Sequence, residues 1–217
     1  KFMKVKFDTQ GFLVGAHVTK YLLEKSRIVT AGENERCYHS LYLVCRGSDA
    51  PIFKTQGDSK FKVLTSGKCL NNKEFDTKEE YEEVQDAMKK VGLSDFERMS
   101  LWTVVASVLH LGNVGFDADG EGSVVSANSH ENLGQAASLL CVDVATLTKE
   151  LTTTTMTVGG QVIVKVLTPA KANDVKEALM KSMYDCAFQW LVDKCNSILD
   201  HEDPSGNWIG LLDIFGF

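Results

Sequence analysis

Alternation opens the chain. Phe2, Val5 and Phe7 are interleaved with Lys4 and Lys6, and after Gly11 residues 12–21 are rich in β-branched and apolar side chains. The pattern predicts two strands joined through Asp8-Thr9-Gln10-Gly11, the glycine serving the turn. Helical spacing then takes over. Cys37, Leu41, Val44 and Cys45 predict a helix over 33–45 that stops at Gly47. Thr77-Lys78-Glu79-Glu80 has the form of a capping box, with Thr77 accepting from early N–H groups and Glu80 reaching back. Its helix carries an apolar face of Tyr81, Val84, Met88 and Val91. Acidic residues at its start, Lys89 and Lys90 near its end and Gly92 beyond suit the helix dipole. Residues 95–111 are apolar nearly all round, so this helix should be buried on most sides. A helix pair is expected over 131–140 and 144–151. Thr168 as N-cap and Pro169 at the first helical position open the longest helix, which runs to about residue 199 with Val175, Leu179, Met183, Ala187, Leu191 and Ile198 along one face. Loops are expected at 48–51, 117–123 and 201–207.

Two later segments leave the helical pattern. Residues 155–164 place Gly159-Gly160 between two β-prone runs and predict a hairpin. Trp208-Ile209-Gly210-Leu211-Leu212, bounded upstream by Pro204-Ser205-Gly206-Asn207, predicts a buried strand. Such a strand would deliver Asp213 and Gly216 at its C-terminal end, where open α/β sheets keep their ligands. An Asp there can hold a metal ion through water, and a Gly three residues on lets a backbone N–H approach a phosphate. Asp-x-x-Gly is also an ordinary turn at a strand end, and these residues alone fit either reading.

The chain has 217 residues, 44% of them apolar and 24% charged, enough for one large domain or two small ones around a buried core. Its net charge of -6, with Lys and Arg scattered rather than striped, argues against nucleic acid as a partner. Cys37, Cys45, Cys69, Cys141, Cys186 and Cys195 form no Cys-x-x-Cys pair and no Cys/His group at zinc spacing, and they are expected to be reduced, mostly buried thiols of a cytosolic protein. Lys1-Phe2-Met3-Lys4 lacks the shape of a signal peptide, and no apolar run reaches the roughly eighteen residues of a membrane span. A soluble, cytoplasmic location is expected. His110 has no Glu, Cys or second His at metal spacing and reads as a hydrogen-bonded core histidine. Met180, Met183 and Trp190 read as core packing.

Four segments add a family. They are Tyr21-Leu22-Leu23-Glu24-Lys25-Ser26-Arg27-Ile28, Glu35-Arg36-Cys37-Tyr38-His39-Ser40-Leu41-Tyr42, Val108-Leu109-His110-Leu111-Gly112-Asn113-Val114, and Ile209-Gly210-Leu211-Leu212-Asp213-Ile214-Phe215-Gly216-Phe217. In order and spacing they resemble the myosin motor domain over nearly the whole chain. The resemblance implies a mixed α/β fold, a P-loop NTPase-type myosin head fragment whose helical subdomain is flanked by strands of a central mixed sheet. Residues 1–30 would be transducer strands following switch I, and 31–200 the helical upper 50-kDa subdomain with an actin-facing loop near 155–164. Residues 201–217 would be a transducer strand, pairing with the first ones and ending in a truncated switch II.

The same resemblance implies roles for residues. Asp213, Ile214, Phe215 and Gly216 would bind nucleotide, Asp213 holding the Mg2+ of ATP through a water and the Gly216 N–H bonding the γ-phosphate when the site closes. A third phosphate adds charge that backbone donors can sense, so one hydrogen bond made or lost biases a two-state loop. Val158, Gly159, Gly160, Gln161 and Val162 would face the actin filament in what is often called the cardiomyopathy loop; without the resemblance they are a plain surface hairpin. Residues 117–122 would be another actin-proximal loop, or simply a solvated one. With a net acidic chain, contact with acidic actin must come from local loops and apolar surface. A light chain or calmodulin-like partner would sit on a lever outside these residues, and the motor would be cytoskeleton-associated.

In the family the pattern at Lys1-Phe2 is the tail of switch I, and a Glu follows Phe217; neither that Glu nor a Gly-x-x-x-x-Gly-Lys-[Ser/Thr] loop occurs in the 217 residues. The expectation is the middle of an actin-activated ATPase, catalytically incomplete by itself, with sheet edges exposed and prone to aggregate. An ATPase-deficient myosin-like actin-binding or scaffold protein is the alternative, and the phosphate loop, switch I and final Glu would discriminate. A G-protein-like NTPase would need Asn-Lys-x-Asp, and Asn72-Lys73-Glu74-Phe75 lacks the Asp. Four positions depart from the family pattern. Gln161 stands where Thr, Ser, Asp or Glu is usual, so it can be neither phosphoacceptor nor fixed charge; divergent apicomplexan-type myosins share this departure. Cys37 replaces the usual Asn, and Lys176-Glu177 replaces Arg-Asp, keeping charge but not geometry.

Overall fold

A computed structural model describes residues 2–21, 23–70, 76–201 and 206–213. β1 (Phe2–Phe7) and β2 (Leu13–Thr19) pair antiparallel. The turn between them is set by the Asp8 carboxylate, which accepts from the backbone N–H of Gln10 at 2.9 Å and of Phe12 at 2.8 Å. A 3-10 turn at Lys25–Ile28 leads towards α1 (His39–Arg46). The helix thus begins at His39 and not at residue 33. Asn34 is left-handed at φ +63°, and its N–H donates to the Gly67 carbonyl at 2.8 Å, so the backbone there is tied to another loop instead of coiling. Gly47 ends α1 as expected, donating to the Leu43 carbonyl. Part of the loop expected at 48–51 is helical: Pro51 sits in the first turn of the short α2 (Ala50–Phe53), where a missing N–H costs nothing.

After α3 (Lys62–Thr65) comes α4 (Lys78–Lys90). Thr77 accepts from the Glu80 N–H at 3.1 Å, but the Glu80 carboxylate takes the N–H of Asp76, one residue earlier than a capping box requires. A complete box stands at Ser94 and Glu97, opening α5 (Asp95–Asn113). The second half of α5, from Val105 to Leu111, is buried all round. Its first half is not, since Phe96 is 81% exposed. His110 is the core histidine expected. Its Nε2 lies 2.9 Å from the Phe53 carbonyl and its Nδ1 3.0 Å from the Asn132 side-chain oxygen.

Residues 117–123 lie in a hairpin rather than a loop: β3 (Phe116–Asp119) and β4 (Gly122–Val125) pair across the two-residue turn Gly120-Glu121. Gly120, the first residue of that turn, adopts φ +56°, a conformation glycine takes at no steric cost. α6 (His130–Leu139) and α7 (Val144–Thr152) follow as the expected pair. The predicted hairpin is β5 (Thr153–Val158) and β6 (Gln161–Val166), with Gly159 at φ +58° and Gly160 at +84°. Two successive positive φ values suit the twist of the flanking strands and favour glycine at both places. α8 (Pro169–Leu199) then runs 31 residues, about 46 Å, and β7 (Asn207–Leu212) ends the described chain.

β2, β1 and β7 form one antiparallel sheet in that order. β7 is not the buried strand expected. Trp208, Ile209, Leu211 and Leu212 are each more than half exposed, because β7 is an edge strand that among the described residues pairs with β1 alone. The core lies in the helices, around Leu41, Tyr42, Leu64, Leu109, Leu133 and Met180, with α5 threaded through it. Met180 is buried and Met183 packs against the core, but Trp190 is 41% exposed and is not a core residue here. The thiols also differ from expectation: Cys37 and Cys45 are buried, Cys69 and Cys195 intermediate, and Cys141 and Cys186 exposed. Cys141 occupies a left-handed turn between α6 and α7 at φ +55°, and Cys186 takes an exposed position on α8.

Candidate functional site

The sheet brings separate parts of the sequence to one edge. Phe2 is paired with Thr19 on one side and with Leu212 on the other, so the start of β1 and the ends of β2 and β7 lie side by side. Asp213 follows β7 directly. It lines a cavity of about 360 Å3 together with Lys20 and Tyr21 beyond β2 and Phe188, Leu191 and Val192 of α8. Lys20 faces α8: its ammonium pairs with Asp185, which also pairs with Lys25 at 3.0 Å, and it lies 5.5 Å from the centre of the Phe188 ring. Hydrogen bonds from Lys20 first and Lys25 second hold the Asp185 carboxyl below its ordinary pKa. Ile214, Phe215 and Gly216 lie outside the described residues, as do Asn72, Lys73, Glu74 and Phe75. Among the described residues no three of His, Cys, Asp and Glu come together to hold a metal ion. A lone carboxylate such as Asp213 suits Mg2+, which keeps several waters and takes further ligands from bound phosphates.

A second candidate surface lies at the β5–β6 hairpin. Met156, Val162, Ile163, Val164 and Val166 are exposed on it, an apolar patch of the kind that marks an interaction site. Gly160 and Gln161 are exposed at its tip. The base of the hairpin is closed by the Leu167 N–H donating to the Thr152 carbonyl at 2.8 Å. The β3–β4 hairpin stands against it: a Cβ at Gly122 would come within 3.1 Å of Val166. The acidic tip of one hairpin is thereby set near the apolar strand of the other.

The profile of the myosin head (motor domain) family matches residues 1–217. The chain belongs to the myosin head family. Myosin-6 of Arabidopsis thaliana is 37% identical over 223 residues, covering 100% of this chain and 15% of that protein. Myosin-17 of the same plant is 37% identical over 222 residues, again 100% of the chain and 14% of the relative. Myosin-1 of the fungus Coprinopsis cinerea is 36% identical over 226 residues, 100% of the chain and 18% of the relative. The chain therefore spans less than a fifth of the length of these relatives. No helix among the described residues is long and apolar enough to cross a membrane.

In this myosin head chain α8 joins the two candidate surfaces. Near its start Lys176 is buried, donating to the Val114 carbonyl at 2.9 Å and to Asn173 at 2.8 Å. The cation meets the C-terminal end of α5, where a helix favours positive charge, and burial pushes its pKa down. Sequence reasoning saw here only an Arg replaced by Lys. Towards the other end the Asn196 side chain imitates a strand: it accepts from the Val18 N–H at 2.7 Å and donates to the Val18 carbonyl at 2.8 Å, occupying the outer edge of β2. Gly15 permits the approach, since a Cβ there would sit 2.9 Å from the Leu199 carbonyl oxygen. Nothing in a single Asn or Gly announces such a contact.

Beyond Asn196, Asp200 pairs with Lys6 of β1 and, at 2.6 Å, with His17 of β2. The Lys6 hydrogen bond, then that of His17, holds its carboxyl below the ordinary range. A carboxyl whose folded pKa is depressed stabilises the fold above its unfolded value, near 3.9, and loses that contribution as pH falls through the folded value. Asp200→Asn should therefore melt below wild type at pH 6, and the gap should be narrower at pH 3, below the unfolded carboxyl's value. A gap of equal size at both pH values would show that Asp200 acts by shape rather than charge.

Proposed function

We propose that this chain is the middle of an actin-based motor head whose parent protein couples Mg-ATP hydrolysis to binding and movement along actin, in the cytoplasm and on the cytoskeleton. The observation that carries the reading is the Phe2–Leu212 pairing. It puts the start of β1, which follows switch I in the family pattern, beside Asp213, which opens switch II. Two segments that must close on one nucleotide thus leave a single sheet edge together. On this reading β1, β2 and β7 are transducer strands, the helices form the upper 50-kDa subdomain, and the β5–β6 hairpin faces actin with Val158, Gly159, Gly160, Gln161 and Val162 at its tip. Mg2+, when bound with ATP, neutralises charge on the phosphates. Asp213 would hold it through water. Hydrolysis at such sites is mostly positioning and electrostatic stabilisation, and the 217 residues supply one part of that surface.

α8 gives the reading a mechanical side. The helix is fastened near the hairpins by Lys176 and at the sheet by Asn196 and Asp200. A shift of the sheet is therefore carried along a stiff element to the apolar hairpin, and the reverse.

One comparison tests the proposal. The full-length protein should hydrolyse Mg-ATP faster when actin filaments are added, and Val162→Asp, which puts a charge on the exposed apolar strand, should weaken that activation. The 217-residue chain made alone should show no turnover above a heat-denatured control. A full-length protein that sediments with actin but hydrolyses nothing would replace the motor by an actin-binding scaffold. Turnover by the chain alone would refute its catalytic incompleteness.

A further inference from the structure

One face of β7 carries a gap at Gly210. Trp208 and Leu212 project on that face two residues to either side, and across the ladder Phe2, Lys4 and Lys6 of β1 stand opposite Leu212, Gly210 and Trp208 in turn. An aromatic ring fills the gap. A Cβ at Gly210 would lie 2.7 Å from both Cε2 and Cζ of Phe2 and 3.0 Å from Cζ3 of Trp208, whereas carbon atoms rest about 3.5–4.0 Å apart. Phe2 therefore leans diagonally, away from its own partner Leu212 and onto Gly210, and meets the Trp208 ring edge to face with centroids 6.2 Å apart at 88°. Lys4 leans the same way, its ammonium 4.9 Å from the Trp208 ring centre.

Backbone conformation does not call for this glycine. Gly210 is not among the glycines at positive φ, and glycine inside a strand weakens it, so what it supplies is room for another group to come close. That group is Phe2, the first residue of β1, whose backbone is paired with Thr19 on one side and Leu212 on the other. We propose that Gly210 and Phe2 are positioning residues for the sheet-end site: the ring seated in the Gly210 gap fixes where β1 begins relative to Asp213, which follows β7 directly. The inference rests on the motor reading above, since it concerns the same site. A methyl group at position 210 takes the ring's place. Trp208 blocks the ring on one side and Leu212 on the other, so it has to lift by roughly 1 Å, and the start of β1 either rises with it or loses its anchor.

The test is an exchange of volume between the two strands of the full-length protein, with Mg-ATP as substrate. Gly210→Ala should lower kcat about tenfold, within what a displacement of this size can cost. KM for ATP should stay within about twofold of wild type, the pattern of an interaction that counts in the transition state more than in substrate binding. Phe2→Leu, which empties the gap, should lower kcat about fivefold for the same reason. The two together add a carbon on β7 and remove ring carbons from β1, and kcat should return to within about twofold of wild type, since volume-conserving exchanges are tolerated best. A double variant as slow as Gly210→Ala overturns the proposal, because the methyl group would then act on the strand and not through Phe2. Should Gly210→Ala fail to fold, Phe2→Leu decides: wild-type kcat overturns the proposal, and the loss at unchanged KM upholds it. A wild-type protein without ATP turnover would refute the motor reading and this inference with it, whereas an active wild type equalled by Gly210→Ala refutes this inference alone.

Discussion

Asp213→Asn in the full-length protein should lower ATP turnover by about a hundredfold or more, the loss seen when one preorganised electrostatic group is removed from a site of this kind. Asp213 leaves β7 at the edge where β1 begins, and its side chain lines the cavity there. An amide keeps the size of the carboxylate but not its charge. A Mg2+ held through water would lose the one protein anion this chain brings to it, and the charge building on the phosphates would be less well neutralised. Raising free Mg2+ should recover part of the loss if binding is at fault and none if orientation is. Asp213 also makes contacts within the fold. The variant's melting curve must accordingly be compared with wild type, and a shift of only a few degrees is expected. Turnover within about threefold of wild type would remove Asp213 from the site.

The parts of the fold that could be foreseen are those in which a local rule decides. Thr168-Pro169 starts α8 because proline at a first turn forfeits no hydrogen bond, and Gly159-Gly160 turns β5 into β6 because both residues accept positive φ. The β3–β4 hairpin turns at Gly120-Glu121 with Gly120 at positive φ, but three acidic residues within 117–121 gave it the look of a solvated loop. The apolar run at 208–212 is a strand, as its composition says. Whether such a strand is covered depends on what lies against it, which the run itself does not encode. That β7 joins β1 was legible only through the family resemblance.

At the sites the limit was distance along the chain. Asp213 could be singled out from its neighbours, but Asn196 on the edge of β2 bridges 178 positions and Lys6 to Asp200 bridges 194. Polar side chains on an amphipathic helix usually face water, and only packing shows which of them face a strand. Lys176 was visible as a departure from Arg, yet its burial follows from the way α5 ends against α8.

Asp76→Asn should destabilise the protein by about 3–5 kcal/mol, the cost of leaving a buried charge without its partner. For a unit of this size that is a fall of roughly 6–20 °C in the melting midpoint. Asp76 is fully buried and its carboxylate pairs with Arg36. Arg36 is held on other sides as well, its guanidinium 3.9 Å from the centre of the Tyr42 ring and its Nε donating to the Cys69 carbonyl at 3.2 Å. The cation cannot swing out to water when the anion is removed. The backbone of Asp76 is also engaged, its carbonyl accepting from Arg46 at 3.2 Å and its N–H donating to Glu80. One residue therefore knots α1, the segment before α4 and the first turn of α4. Its φ of +63° decides the choice of variant, since Asn tolerates the left-handed region whereas Ala would add backbone strain to the lost charge. If the unpaired cation causes the loss, Arg36→Met combined with Asp76→Asn should melt above Asp76→Asn alone. Equal melting of the single and double variants would instead assign the loss to the Asp76 carboxylate's own packing and leave the ion pair without a stabilising role.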